Sequence, residues 1–194
     1  MLAKQVLRAG SVLALTVLLS QLTACVPLVV AGAAGGVVAA QDRRPTAVLW
    51  NDQQIGLRVG ERIDAKFGNA SHVNVNSFNR AVLLTGEVPD EATRVEVERL
   101  ARETQDVKQV YNEVAVMLPS SLSARAADTG LTTRLKARML DSKRFSPIHV
   151  KVTSERSTVY LMGLVTRQEA KDSAEVASQT PGVEKVITLF EFID

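Results

Sequence analysis

The chain has little of what catalysis and metal binding require: one cysteine and two histidines among 194 residues. A lone Cys excludes an internal disulfide framework, and two histidines give no metal set. Neither a Gly-rich phosphate loop nor a nucleophile elbow is present. The histidines, His72 and His149, stand at equivalent places just before a Val-x-Val strand, where a structural role is the simpler reading. Acid pairs such as Glu96 and Glu98 belong to a solvated helix face. An excess of charge of one sign is missing too. The leader, residues 1–24, holds Lys4, Arg8 and no acid, so the rest of the chain carries 21 basic and 21 acidic residues. A dedicated nucleic-acid binder needs a broad basic surface to displace counterions, and a balanced chain does not supply one. These absences predict a non-catalytic protein without cofactor or metal whose electrostatics work through local asymmetry. The length allows one ordinary domain or two small ones.

What is present begins with a leader. Lys4 and Arg8 precede the apolar run Val12–Leu19, followed by Leu22-Thr23-Ala24-Cys25. This is the pattern of a secretory signal ending in small residues, and a Cys directly after them resembles the bacterial lipobox. That resemblance implies cleavage before Cys25, acylation of its thiol and of the new amino terminus, and, with Val26 in place of Asp, an outer-membrane destination. Lone cysteines are often core residues, but a core thiol rarely closes a signal's apolar segment. An uncleaved membrane anchor is the rival, because no charged residue occurs from Ala9 to Ala40. Pro27, Gly32 and Gly35-Gly36 weaken any helix there. Residues 26–40 alone would span about 22 Å of a hydrocarbon core about 30 Å thick. The reading is therefore a signal peptide over 1–24 and an acylated, flexible tether over 25–50.

The remainder repeats itself. His72-Val73-Asn74-Val75 recurs as His149-Val150-Lys151-Val152, and Val82–Val88 recurs as Val159–Val165, both 77 residues later. Ile55, Val59 and Ile63 match Leu131, Leu135 and Met139 at an offset of 76, as Val107 and Val110 match Val183 and Val186. Constant offsets with one-residue slips mean duplicated domains. Within each copy, apolar residues every fourth position predict a helix with one buried stripe. Two short β-rich runs follow, the second ending at Gly86 or Gly163. Then come a helix, opened in the second copy by the capping-box pair Thr166 and Glu169, and a last strand over Val110–Val116 or Val186–Ile193. The fold class is α+β, with order αββαβ and a three-stranded mixed sheet packed on two helices. The copies span 51–117 and 128–194, and the Ser- and Ala-rich stretch 118–127 reads as their linker. Units of about 65 residues have marginal cores, which predicts that the two pack together.

On these residues the chain resembles the BON-domain family. Its pattern of V-x-V, V-x-L-x-G-x-V and G-V-x-x-V is met by Val150, Val152, Val159, Leu161, Gly163, Val165 and Gly182-Val183-Glu184-Lys185-Val186. The first copy departs at Asp106, which stands where Gly182 stands in the second. A lipobox followed by two such units is similar to the dual BON-domain outer-membrane lipoproteins. The resemblance implies a lipid-anchored protein on the periplasmic face of the outer membrane. It also implies phospholipid binding and a part in envelope integrity, stress response and cell division.

Duplicated domains share what folding needs, so function is sought where the copies differ. Residues 131–145 carry Arg134, Lys136, Arg138, Lys143 and Arg144 against Asp141 alone. The matching helix of the first copy offsets Arg58, Arg62 and Lys66 with Glu61 and Asp64. With Leu131, Leu135 and Met139 inward, Thr133, Ala137 and Leu140 point outward. An outward Leu among Lys and Arg suits an anionic phospholipid surface, although single exposed leucines are also ordinary. The candidate lipid-binding residues are Gly130, Thr133, Arg134, Lys136, Ala137, Leu140, Lys143 and Arg144. Relatives can carry a bulky aromatic shortly before the Thr132-Thr133 pair, where this chain has Gly130. The alternative is a protein-interaction module docking on envelope assembly proteins through the same basic helix.

Overall fold

The computed structural model describes residues 42–194. The signal peptide, Cys25 and most of the tether lie outside the described residues. Elements run α1 (Thr46–Phe67), β1 (His72–Phe78), β2 (Ala81–Val88), α2 (Glu91–Arg102), β3 (Gln109–Asn112) and β4 (Ala115–Val116). The second copy continues with α3 (Leu122–Ser142), β5 (Val150–Glu155), β6 (Thr158–Val165), α4 (Arg167–Ser178) and β7 (Lys185–Phe192). Each copy is αββαβ. In both, the first two strands form an antiparallel hairpin and the last strand adds in parallel beside the second.

Local chemistry explains the hairpins. Asn79-Arg80 and Arg156-Ser157 are two-residue turns with positive φ throughout, from 49° to 68°, the geometry that matches strand twist. None of these residues is Gly, so the turns need outside support. Asp52 of α1 accepts the backbone N–H of Asn79 and of Arg80, both at 2.7 Å. Asp128 of α3 does the same for Arg156 and Ser157, at 2.8 and 3.1 Å. One helix carboxylate thus caps each turn in both copies.

β2 and β6 are buried on both faces, which is why they read as near-continuous apolar runs. One face of β2, with Val82, Leu84 and Val88, packs on the α1 stripe Ile55, Val59 and Ile63 and on Val97, Leu100 and Ala101 of α2. Leu161 and Val165 of β6 meet Leu131, Leu135, Met139 and Val176 in the same way. The opposite faces meet each other. Phe78, Ala81 and Leu83 pack against Tyr160 and Met162, with Tyr111, Ile187 and Leu189 at the margin. The architecture is helices, sheet, sheet, helices, and the two copies share the core between the sheets.

Four boundaries differ from the sequence reading, the first being that β2 runs on past Gly86 to Val88. The assigned tether, 25–50, and linker, 118–127, both run into helix: α1 begins at Thr46 and α3 at Leu122. Ser121 caps α3 by accepting the Ala124 N–H at 3.2 Å, and the following alanines favour helix over coil. The last strand of the first copy is not continuous over 110–116. It breaks after Asn112, whose Nδ2 turns to the Arg94 carbonyl oxygen and whose Oδ1 accepts the Val114 N–H. Val95, grouped with the apolar residues of α2, is 59% exposed.

Candidate membrane-docking face

α3 has 21 residues and a cleanly divided surface. Leu131, Leu135 and Met139 are buried at 3% exposure or less, whereas Leu140 is 66% exposed. Because the helix starts before position 128, its outer stripe is longer than the sequence reading allowed. At 100° per residue, Leu122, Ala126, Thr129, Thr133, Ala137 and Leu140 fall within an arc of about 80°. All six are exposed, and Leu122, at the far end from Leu140, is 82% exposed. The two leucines stand about 27 Å apart along the axis.

The stripe is more apolar than its composition indicates. The Thr129 hydroxyl donates to the Arg125 carbonyl oxygen and the Thr133 hydroxyl to that of Thr129, each at 3.0 Å. Back-bonding of this kind satisfies the hydroxyl within the helix. Arg125 and Lys136 flank the stripe on one side and Arg134 on the other, by the same helical geometry. A face of this kind can set apolar groups into a headgroup boundary while its cations meet phosphates.

The predicted residues separate into three groups. Thr133, Lys136, Ala137 and Leu140 share the outer face. Gly130 and Arg134 stand on its shoulder, and no atom lies within 4 Å of where a Cβ on Gly130 would point. Lys143 and Arg144 follow the helix end: Lys143 is its left-handed cap, with φ 53°. Arg144 does not join the basic rim. It turns to α4, paired with Asp172 and, at 2.8 Å, with Glu175, and these two hold its guanidinium charged. Counting charges along the sequence overlooked those acids because they lie 28 and 31 residues away. Leu122, Arg125, Ala126 and Thr129 were missed in turn. The signal for them was the Ser121 cap followed by spacings of 4, 3, 4, 4 and 3 up to Leu140.

α1 offers a different face. Trp50 and Leu57 are 70% and 55% exposed, but Glu61 and Asp64 are exposed beside them, so anionic lipid is disfavoured there. The tether does not hang free where it meets the fold. Arg43 grips Glu169 at 2.6 and 2.8 Å and the Leu164 carbonyl oxygen at 2.9 Å. Arg44 bonds Asp42 and Asp52 and stacks on Phe78, 3.8 Å from the ring centre. His72 and His149 each face a carboxylate, Glu87 at 3.0 Å and Glu169 at 3.5 Å. Among the described residues no helix is long and apolar enough to cross a membrane, and no group of three or more His, Cys, Asp or Glu side chains could hold a metal ion.

Comparison with known proteins identifies the domain family of both copies. The BON domain pattern matches residues 51–117 and 127–194. The chain is 35% identical over 175 residues to the outer membrane lipoprotein DolP of Haemophilus influenzae, covering 89% of this chain and 91% of that one. It is 28% identical over 154 residues to a 21 kDa hemolysin of Actinobacillus pleuropneumoniae, covering 78% and 79%. To the osmotically-inducible protein Y of Escherichia coli it is 29% identical over 120 residues, 60% of each chain.

Proposed function

Since the chain belongs to the BON-domain family and carries two copies of the domain, we propose that it is a non-catalytic outer-membrane lipoprotein that docks on anionic phospholipid through α3. Acyl chains on Cys25 anchor it to the periplasmic face, and its similarity to an outer membrane lipoprotein supports that placement. The observation that carries the docking reading is the outer stripe of α3, ended by Leu122 and Leu140 and bordered by Arg125, Arg134 and Lys136. Its alanines and back-bonded threonines let the helix lie flat against headgroups. Each Lys or Arg near an anionic surface contributes about 1 kcal/mol. Supporting envelope integrity, under stress and at division, is the physiological role that fits such a tether.

Co-sedimentation of the unlipidated chain with phosphatidylglycerol vesicles and with neutral vesicles tests this. Leu140→Glu and Leu122→Glu should each weaken binding about tenfold, because burying a leucine is worth about 1.5–3 kcal/mol. Arg134→Ala should cost less, since one screened contact is lost. If Leu140→Glu binds like wild type, or wild type ignores lipid charge, the docking reading fails. The protein-interaction reading, with envelope assembly proteins as partners, then takes its place.

A further inference from the structure

Positions 74 and 151 hold the same place in the Val-x-Val strands, yet one is Asn and the other Lys. Asn74 meets a carboxylate across the domain boundary: its Nδ2 donates to Glu155 Oε2 at 2.9 Å. The first-copy counterpart of Glu155 is Phe78, so Lys151 meets no acid in return. Its Nζ donates to the Ser77 carbonyl oxygen at 3.0 Å. Asp52 is near enough to attract it, but both Asp52 oxygens are occupied by Arg44, the Ser77 hydroxyl and the Asn79 and Arg80 amides. Burial holds the Lys151 amine below the usual lysine range, and the positive charges of Arg44 and Lys136 push the same way. A largely buried ammonium with one carbonyl partner is an unfavourable arrangement unless something else completes it.

The ammonium borders a cavity of about 390 Å³ between α1 and the edge strands β1 and β5. Arg44, Asp52 and Lys151 form its polar wall, and Leu49, Gly56 and Leu57 its apolar one. Arg44 is locked by Asp42, Asp52 and Phe78, so its charge is taken up by those carboxylates, and Lys151 is the cation of the wall with no carboxylate bonded to it. Gly56 leaves open the space a side chain would fill. The corresponding groove on the α3 side, about 610 Å³, sets Asp128 and Glu155 against Arg125 and Lys136. We infer that the smaller cavity is an anion site, in which Lys151 receives a phosphate group whose organic substituent lies along Leu49 and Leu57. The site lies where α1 and β1 of the first copy meet β5 of the second, and it does not depend on docking through α3. A phospholipid headgroup and a soluble phosphate ester share the required chemistry.

Trp50, the only tryptophan of the chain, adjoins Leu49 and serves as a reporter. The full chain in nonionic maltoside micelles is titrated with glycerol 1-phosphate, inorganic phosphate and glycerol, following Trp50 emission and the thermal midpoint. The phosphates should give saturable changes in both and glycerol none. Lys151→Met should weaken the response about tenfold, as expected for loss of a charged hydrogen bond, and Lys151→Arg should retain it. Gly56→Leu, which fills the cavity, should abolish it while the protein stays folded, and it decides the matter if Lys151→Met does not fold. Phosphatidylglycerol added to the micelle should compete with glycerol 1-phosphate if the source is lipid, and a soluble ester is the source if it does not. A wild type without saturable response to phosphate overturns the site. So do Lys151→Met and Gly56→Leu proteins that respond like wild type, which would leave Lys151 as a tie between strands.

Discussion

Gly86 and Gly163 show why the repeated motif needs its glycine. A Cβ on Gly86 would stand 2.0 Å from the carbonyl oxygen of His72, and one on Gly163 would stand 2.5 Å from that of His149. Gly86 also sits at φ 107°, which other residues adopt only under strain. Gly86→Ala should therefore destabilise the protein by about 3 kcal/mol or more, and Gly163→Ala by less, as measured by urea unfolding. Equal stability of Gly86→Ala and wild type would mean that the strand start moves freely. At the Gly182 position the first copy manages with Asp106 at φ 71°. Asp tolerates this region better than most residues, and Arg80 holds its carbonyl and carboxylate oxygens. Glu169 gives a pH-dependent contribution. Arg43's hydrogen bonds draw its carboxyl from the ordinary 4.5 down to about 2, against the opposing effect of burial. A depressed folded value means stability that is complete above pH 4.5 and lost as pH falls towards 2. Wild type should lose thermal midpoint more steeply over that window than Glu169→Gln. Parallel curves would show that the tether contact adds nothing.

Among the elements, α4 depends most visibly on its first turn. Thr166 accepts the Glu169 N–H at 3.2 Å while Glu169 Oε2 accepts the Thr166 N–H at 2.9 Å. Thr166→Ala should cost about 1 kcal/mol, measured by chemical denaturation, and should loosen Arg43 as well, because Glu169 serves both partners. That helix and the buried stripes of α1 and α3 were legible in the sequence, since capping and periodicity are local signals. The start of α3 was not. Ser and Ala between two domains read as a linker; the Ser121 cap favours a helix start there, and the docking of the Leu131–Met139 stripe commits the turns that follow it. The candidate face followed suit: Leu140 was visible from its spacing, whereas Leu122 became part of the face once the helix extended to it. The break between β3 and β4 was likewise hidden, because it arises from hydrogen bonds between Asn112 and α2, 14 to 18 residues away.

At the scale of the molecule, the core between the sheets joins the two copies. Both tyrosines of the chain, Tyr111 and Tyr160, border it. Burial pushes the Tyr160 phenol up to about 12 and raises that of Tyr111 in the same direction. For Tyr160, a folded value above the ordinary 10 means that its contribution to stability is complete below pH 10 and lost as pH rises through 12. An absorbance titration should thus show tyrosinate forming late in the native protein and near pH 10 once it is unfolded. An ordinary titration in the native state would place the sheets apart. Leu83→Ala, in the same core, should cost about 2–5 kcal/mol and lower a single unfolding transition. Two transitions, one unmoved, would show that the copies unfold independently.

By itself the sequence determined the duplication, the order of elements, the helix stripes facing each core and the resemblance to BON domains. Each of these rests on spacing along the chain, which burial and backbone geometry impose on neighbouring residues. Tertiary structure alone decided what covers the second faces of β2 and β6, because an apolar run records that a face is buried but not against what. It also decided which charges remain available. Arg144 is taken up by α4, Arg43 and Arg44 by the fold at the tether's end, and Lys151 is left facing a cavity because its counterpart of Glu155 is Phe78. Whether a charge is paired depends on groups brought close in space, and those lie far apart along the chain.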